Sequence, residues 1–301
     1  MVGFEELYRV MSAHPDLFTP LSDSDLKRVQ SLSLEVYLCF QAFCQEHGLT
    51  VMLGGGSVLG AIRHGGFIPW DDDIDVFMPR ADYDVLLYSL YKELPANMYL
   101  CAPNGPYKAE KRHAVLFDAT KSINEDCESD YRKCIGIDIF PLENYPSNSF
   151  IHKIKWSFYL LICLAATTTR LWHDRKIRTT YNQAITLFRR GRIEYKLRLL
   201  IGFLFSFLPY NKWLDISDRF ISRTKPSGKV YIPSIFGSVN NPVNSEVMLP
   251  PIGGVFDGIQ VLLPHNPKGY LEYEYGDWWV LPPIEKRRQH NYELVNDEDK
   301  Y

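Results

Sequence analysis

The chain has 301 residues, 46% of them hydrophobic, with 33 Lys and Arg against 36 Asp and Glu and a formal charge of −3. That length can bury a sizeable core and suits one large domain or two small ones. The near balance of charge argues against a general nucleic-acid binder, which carries a clear basic excess, and no nucleic-acid partner is expected.

Residues 1–22 read as an N-terminal arm, with early acidic residues and no apolar run of signal-peptide type. Residues 23–149 read as an α/β core. Leu26, Val29, Val36, Phe40 and Phe43 recur at three- and four-residue steps, which predicts a helix from about residue 22 to 47. Ser22 or Asp23 can cap its start, and Gly48 suits its exit. "LTVML" reads as a short strand entering Gly54-Gly55-Gly56, and "SVLGAIRH" as a short helix ended by Gly65-Gly66. Strands are predicted at Ile74–Met78, His113–Ala119 and Ile135–Glu143, and "ADYDVLLYSLYKEL" as a helix.

Residues 150–228 change character. Apolar runs at Trp156–Ala166 and Leu199–Pro209 are interrupted by basic residues at helical spacing. A spanning helix needs about 20 apolar residues, and each run is roughly half that, so buried helices are the first expectation. The flanking Lys and Arg also fit a face that touches a membrane or an acceptor, a peripheral contact. Residues 229–301 are rich in Pro, Gly and aromatics and contain "GVFDGIQVLLP", a predicted hairpin.

The six cysteines include no CxxC pair, so reduced thiols in a cytosolic protein are expected rather than a disulfide framework. No nearby Cys or His pair completes four metal ligands with Cys127 and Cys134.

The densest chemistry lies in "LGGGSVLGAIRHGGFIPWDDDIDVFMPR". On a strand alternate residues share a face, so Asp73 and Asp75 point together, Asp71 joins them if the chain is already extended, and Asp72 points away. Two unit charges about 4 Å apart repel by roughly 1 kcal/mol in water and about four times that near a protein. A divalent cation removes the difficulty, and carboxylate oxygens suit Mg²⁺ or Mn²⁺. Gly54, Gly55 and Gly56 permit a sharp turn, and the helix begun at Ser57 offers N–H groups to an anion such as phosphate. A Gly-Gly-Ser turn followed by Asp-x-Asp therefore points to phosphoryl or nucleotidyl transfer at a metal.

"GGGSVLGAIRHGGFIPWDDDIDVFMPRADYD", "GIDIFPLE" and "YGDWWVLPP" closely resemble motifs of the LicD/fukutin family of phosphotransferases. The three spread over most of the chain but leave the helical middle uncovered. The resemblance implies a nucleotidyltransferase-like mixed sheet core, α/β (α+β) in class, with a mainly helical insert. It implies transfer of phosphocholine or a phospho-alditol from a CDP-linked donor to a sugar hydroxyl of a glycan or glycolipid precursor. Metal-binding carboxylates would fall on Asp73 and Asp75, with Asp71 as an added possibility and Asp138 as the acidic residue of a neighbouring strand, holding metal or accepting a proton.

Gly55, Gly56 and Ser57 would contact the diphosphate. Arg63 and Arg287 would neutralise phosphate, although Arg63 and His64 also suit a helix end. The tail around Arg287, with Lys286, Arg288 and His290, also suits a solvated turn. Arg80 could equally pair with Asp82 or Asp84. Trp70, Trp278 and Trp279 could stack a base, cage a quaternary ammonium or pack in the core. The basic stretch Tyr107–Ala114 reads as a solvated loop more readily than as a phosphate site. Two other functions stay open: nucleotidyl transfer from an NTP, and a glycan- or membrane-binding protein without activity. The expected location is the cytoplasm, at the inner face of the membrane if the helical region docks there.

Overall fold

The computed structural model describes residues 21–109, 111–121, 134–176, 189–233, 242–284 and 287. Helix α1 (Asp23–Glu46) is capped by the Ser22 side chain, which accepts from the Asp25 N–H. It buries the predicted stripe, including Val29, Val36 and Phe40. Each such side chain contributes about 1.5–3 kcal/mol on burial. Strand β1 (Met52–Leu53) leads into α2 (Gly55–His64), which starts two residues before the expected serine. Gly65 ends α2 in the left-handed region, the usual helix exit.

Strand β2 (Asp75–Pro79) runs into α3 (Arg80–Val85), which continues as a wide turn at Leu86–Leu90 and a tighter one at Tyr91–Glu93. Strands β3 (Met98–Cys101), β4 (Ala114–Asp118) and β5 (Gly136–Asn144) follow. The short β3 was not expected; it borders β4, where "MYLC" gains three buried side chains. The main sheet is mixed, in the order β1-β2-β5-β4-β3. Only β2 and β5 are parallel, and their register sets Asp75 opposite Asp138.

The helical region is α4 (Ser149–His173), α5 (Arg189–Phe205) and α6 (Tyr210–Ile221). The run Trp156–Ala166 lies inside the longer α4, whereas Leu199–Pro209 runs past the end of α5 at Phe205, and residues Phe150–Lys176 are long and apolar enough to cross a membrane. Strands β6 (Lys229–Tyr231) and β7 (Val243–Asn244) extend the sheet beside the end of β5 and precede the short α7 (Ser245–Met248). The expected hairpin is β8 (Ile252–Phe256) and β9 (Ile259–Leu263). Its two-residue turn, Asp257-Gly258, has both φ values positive, as a tight hairpin requires. Helix α8 (Pro267–Tyr275) completes the described fold and packs on α2.

The class is therefore mixed α/β, as expected. One expectation is corrected. Cys39, Cys44, Cys101 and Cys163 are free thiols. Cys134 is disulfide-bonded, its partner outside the described residues. Pairing depends on how the chain returns in space, which spacing alone does not reveal. Cys134 is also thereby removed as a thiolate ligand.

Candidate functional site

The turn between α2 and β2 gathers the carboxylates. The Asp71 N–H donates to the Ile68 carbonyl at 2.9 Å, and Gln30 Nε2 of α1 donates to the Asp71 carbonyl at 2.7 Å. The chain turns at Ile68–Asp71 and takes up regular strand structure only at Asp75, where β2 begins. Asp72 accordingly does not simply point away: Asp71, Asp72 and Asp73 bring one oxygen each within 4.8 Å of one another. Asp72 is fully buried.

A second group forms around Asp75. Oxygens of Asp73, Asp75 and Asp138 also lie within 4.8 Å of one another. Asp138 joins because adjacent strands hold directly paired residues on one face. Asp73 and Asp75 are brought together as alternation predicts, although only Asp75 lies on the strand.

Both glycines in front of the site lie close against its carboxylates. Gly55 has φ +45°, and a Cβ there would stand 2.5 Å from Asp75 Oδ2. A Cβ at Gly56 would stand 2.9 Å from Asp71 Oδ2. The start of α2 is therefore pressed against the carboxylates. Ser57 is buried beside them, and its hydroxyl accepts the Asp75 N–H at 3.0 Å.

The electrostatics divide the carboxylates. Burial, and then Asp73, Asp138 and Asp71, push the Asp75 carboxyl well above the ordinary range. Burial would raise Asp138 as well, but His113 and Lys111 outweigh it and hold that group below the ordinary range. Lys111 Nζ donates to both Asp138 oxygens at 2.9 and 2.7 Å. His113 Nε2 lies 3.2 Å from Asp138 Oδ2. The basic stretch read as a solvated loop thus supplies one cation, Lys111, and an imidazole, His113, whose pKa burial lowers. His113 directly precedes β4, diagonal to Asp138 across the antiparallel β4–β5 pair. That proximity depends on sheet register, which the local sequence does not carry.

These donors fit a divalent cation. They are hard carboxylate oxygens, clustered, and an ammonium already neutralises one of them. Such an ion would be held by Asp73, Asp75 and Asp138, with Asp71 adjoining.

The C-terminal segment closes on the far end of α2. Arg63 Nη1 donates to the Trp278 carbonyl at 2.7 Å. The Arg287 guanidinium lies 4.6 Å from the centre of the Trp70 ring, and its Nε donates to the Pro282 carbonyl. Burial lowers the Arg63 pKa, Tyr275 opposes the shift and Arg287 adds to it. Burial raises the Tyr275 phenol, helped by Asp75 and other acidic neighbours. Beside it, Lys268, Glu272, Asp277, Trp278 and Trp279 line a groove of about 530 Å³. Lys286, Arg288 and His290 lie outside the described residues.

Arg80 belongs elsewhere. It binds Asp84 at 2.9 Å, as one expected alternative held, and also Glu143 at 2.8 Å and Asp218 at 2.7 Å. Asp82 instead accepts the Thr50 N–H. This buried cluster ties β5 and α3 to the helical region.

Residues 48–160 match the family model described as "LicD/FKTN/FKRP, nucleotidyltransferase domain". Over 284 residues the chain is 26% identical to the lipopolysaccharide cholinephosphotransferase LicD of Haemophilus influenzae, covering 88% of this chain and 96% of that protein. An uncharacterized protein of Rickettsia prowazekii is 24% identical over 150 residues, 48% of this chain and 53% of its own length. One from Rickettsia typhi is 30% identical over 81 residues, about a quarter of each. The matched region runs from the strand before Gly54 through Asp71, Asp73, Asp75, Lys111, His113 and Asp138, and it is similar to the LicD/FKTN/FKRP nucleotidyltransferase domain.

Proposed function

We propose that the chain is a metal-dependent phosphotransferase that moves phosphocholine from a CDP-linked donor to a sugar hydroxyl of a lipopolysaccharide or related glycolipid precursor. The observation that carries this reading is the convergence of Asp73, Asp75 and Asp138 within 4.8 Å, at the start of α2. The similarity to a lipopolysaccharide cholinephosphotransferase over 96% of its length supports the substrate class.

In the reaction the acceptor oxygen forms a bond to the phosphorus that bears choline. The bond from that phosphorus to the CMP oxygen breaks, and CMP leaves with the electron pair. The hydroxyl proton passes to a carboxylate of the cluster. Asp73, Asp75 and Asp138 would hold Mg²⁺ or Mn²⁺, which would supply charge neutralisation at the diphosphate. Asp138, held low by Lys111 and His113, suits ligation better than proton abstraction. Lys111 faces the same point and neutralises donor phosphate. The N–H groups at Gly55 and Gly56 favour the same anion. Arg63 and Arg287 form a cationic rim toward the nucleotide.

The similarity to a cholinephosphotransferase favours choline over an alditol, and the groove beside Tyr275 has side chains that suit it, alongside Lys268. Trp278 and Trp279 meet edge to face at 5.3 Å, and Glu272 and Asp277 line the same space. Aromatic faces with nearby carboxylates suit a quaternary ammonium. Thermal stabilisation with Mg²⁺ tests this. CDP-choline should raise the melting temperature more than CDP-glycerol or CDP-ribitol, since a ligand bound only by the folded state stabilises it. Equal or greater stabilisation by an alditol donor would overturn the head-group assignment. The description of the matching family model also favours nucleotidyl transfer as a second reading, which the mass added to the acceptor separates.

A further inference from the structure

Helices α4 and α5 each leave an apolar stripe in solvent. On α4 the inward stripe is His152, Tyr159, Cys163 and Ala166, packed toward α6 and β6. Phe150, Ile154, Phe158 and Leu161 follow one another at four- and three-residue steps on its other side, and all are exposed. On α5, Ile193, Leu197, Leu200 and Leu204 recur at the same steps and are 55–66% exposed. Monomeric soluble proteins rarely leave contiguous apolar patches of this kind uncovered.

Charge identifies what covers them. Residues 149–209 hold eleven Lys and Arg against two Asp and Glu, in a chain with 33 against 36 overall. This segment therefore carries +9 and the remainder −12. Both acidic residues already face basic neighbours one turn away, Asp174 with Arg170 and Glu194 with Arg198. Lys153, Arg192 and Lys196 are exposed on the same two helices. A second copy of the chain would bring one strongly cationic face against another. An anionic lipid surface accepts both the apolar stripes and the cations.

We infer that the α4–α5 face docks in the plane of an anionic bilayer, at the boundary between headgroups and acyl chains. The inference deepens the phosphotransferase reading, and its biological sense, access to a lipid-borne acceptor, rests on that reading. Helix α4 is long enough to cross, but its inward stripe is fixed to the protein core, so it lies along the surface.

Flotation of the full chain with phosphatidylglycerol-containing vesicles tests this. The chain should float at low salt, float far less with phosphatidylcholine vesicles, and be released by alkaline carbonate. Leu197→Asp combined with Leu200→Asp should cut flotation about tenfold or more while leaving the melting temperature close to that of the parent. Phe158→Ser provides a milder second variant on the other helix. Absence of flotation, unchanged flotation of both variants, or retention after carbonate would overturn the inference. So would a dimer that the variants dissociate in the absence of lipid. Asp75→Asn should float like the parent, so a failure of the chemistry and a failure of the surface give different results.

Discussion

Asp75 and Asp138 are direct partners in the parallel β2–β5 pair, and their carboxylates share one side of the sheet with Asp73. Without a cation this arrangement is destabilising, because like charges close together in a partly buried site repel. Asp75→Asn is therefore expected to raise the melting temperature of the metal-free protein slightly. It should lower the rate of CMP release about a thousandfold or more, since metal ligation is worth several kcal/mol. Calorimetric titration with Mn²⁺ should show binding to the parent and much weaker binding to the variant.

Gly55 and Asp75 are coupled by space. Gly55→Ala places a methyl 2.5 Å from Asp75 Oδ2 and puts alanine at φ +45°. The backbone term alone costs about 1–2 kcal/mol. The expected total is larger, and denaturant unfolding should show it. In an Asp75→Ala background the same change should cost less, leaving mainly the backbone term. Equal costs in both backgrounds would mean that the methyl and the carboxylate do not meet.

Lys111 is the cation that pairs with Asp138. Lys111→Met should tighten Mn²⁺ binding modestly, because a competing positive charge is removed. It should also raise the KM for the donor about tenfold, the loss of one charge-assisted phosphate contact. Calorimetry and steady-state kinetics read the two effects separately, and a variant unchanged in both would place Lys111 outside the site's chemistry.

Much of this site was legible in the sequence, for local reasons. The glycine run, the helix start and the Asp-x-Asp spacing lie within about two dozen residues, and each follows short-range rules. The stripe from Leu26 to Phe43 showed α1 in the same way. Lys111 and His113 were missed because their role depends on β4 pairing with β5 in one register. Arg80 was half-read: Asp84 lies one helical turn away, whereas Glu143 and Asp218 reach it only through the tertiary fold. Asp72 joins Asp71 and Asp73 because β2, and with it strict alternation, begins only at Asp75.

The Arg80 cluster gives a pH dependence. One guanidinium faces three carboxylates, and Glu143 is the most buried of them. Burial pushes its carboxyl up to about 7, against the opposing pull of Arg80. A raised carboxyl favours the protonated folded state. Its contribution is full below an unfolded value near 4.5 and is lost as pH rises to about 7. The loss is at most about 1.4 kcal/mol per pH unit. Glu143→Gln should flatten the melting-temperature profile across that window and be at least as stable as the parent at about pH 8. A parallel pair of profiles would show that Glu143 stays ionised throughout.

The central claim is tested most directly by the mass of the product. Purified protein is incubated with CDP-choline, Mg²⁺ and a lipopolysaccharide acceptor, and both the acceptor mass and CMP are followed. The expected result is a phosphocholine increment on the acceptor, matched by an equal amount of CMP and absent with chelator or in Asp75→Asn. A nucleotide increment, or phosphocholine transfer that persists in Asp75→Asn, would contradict the account.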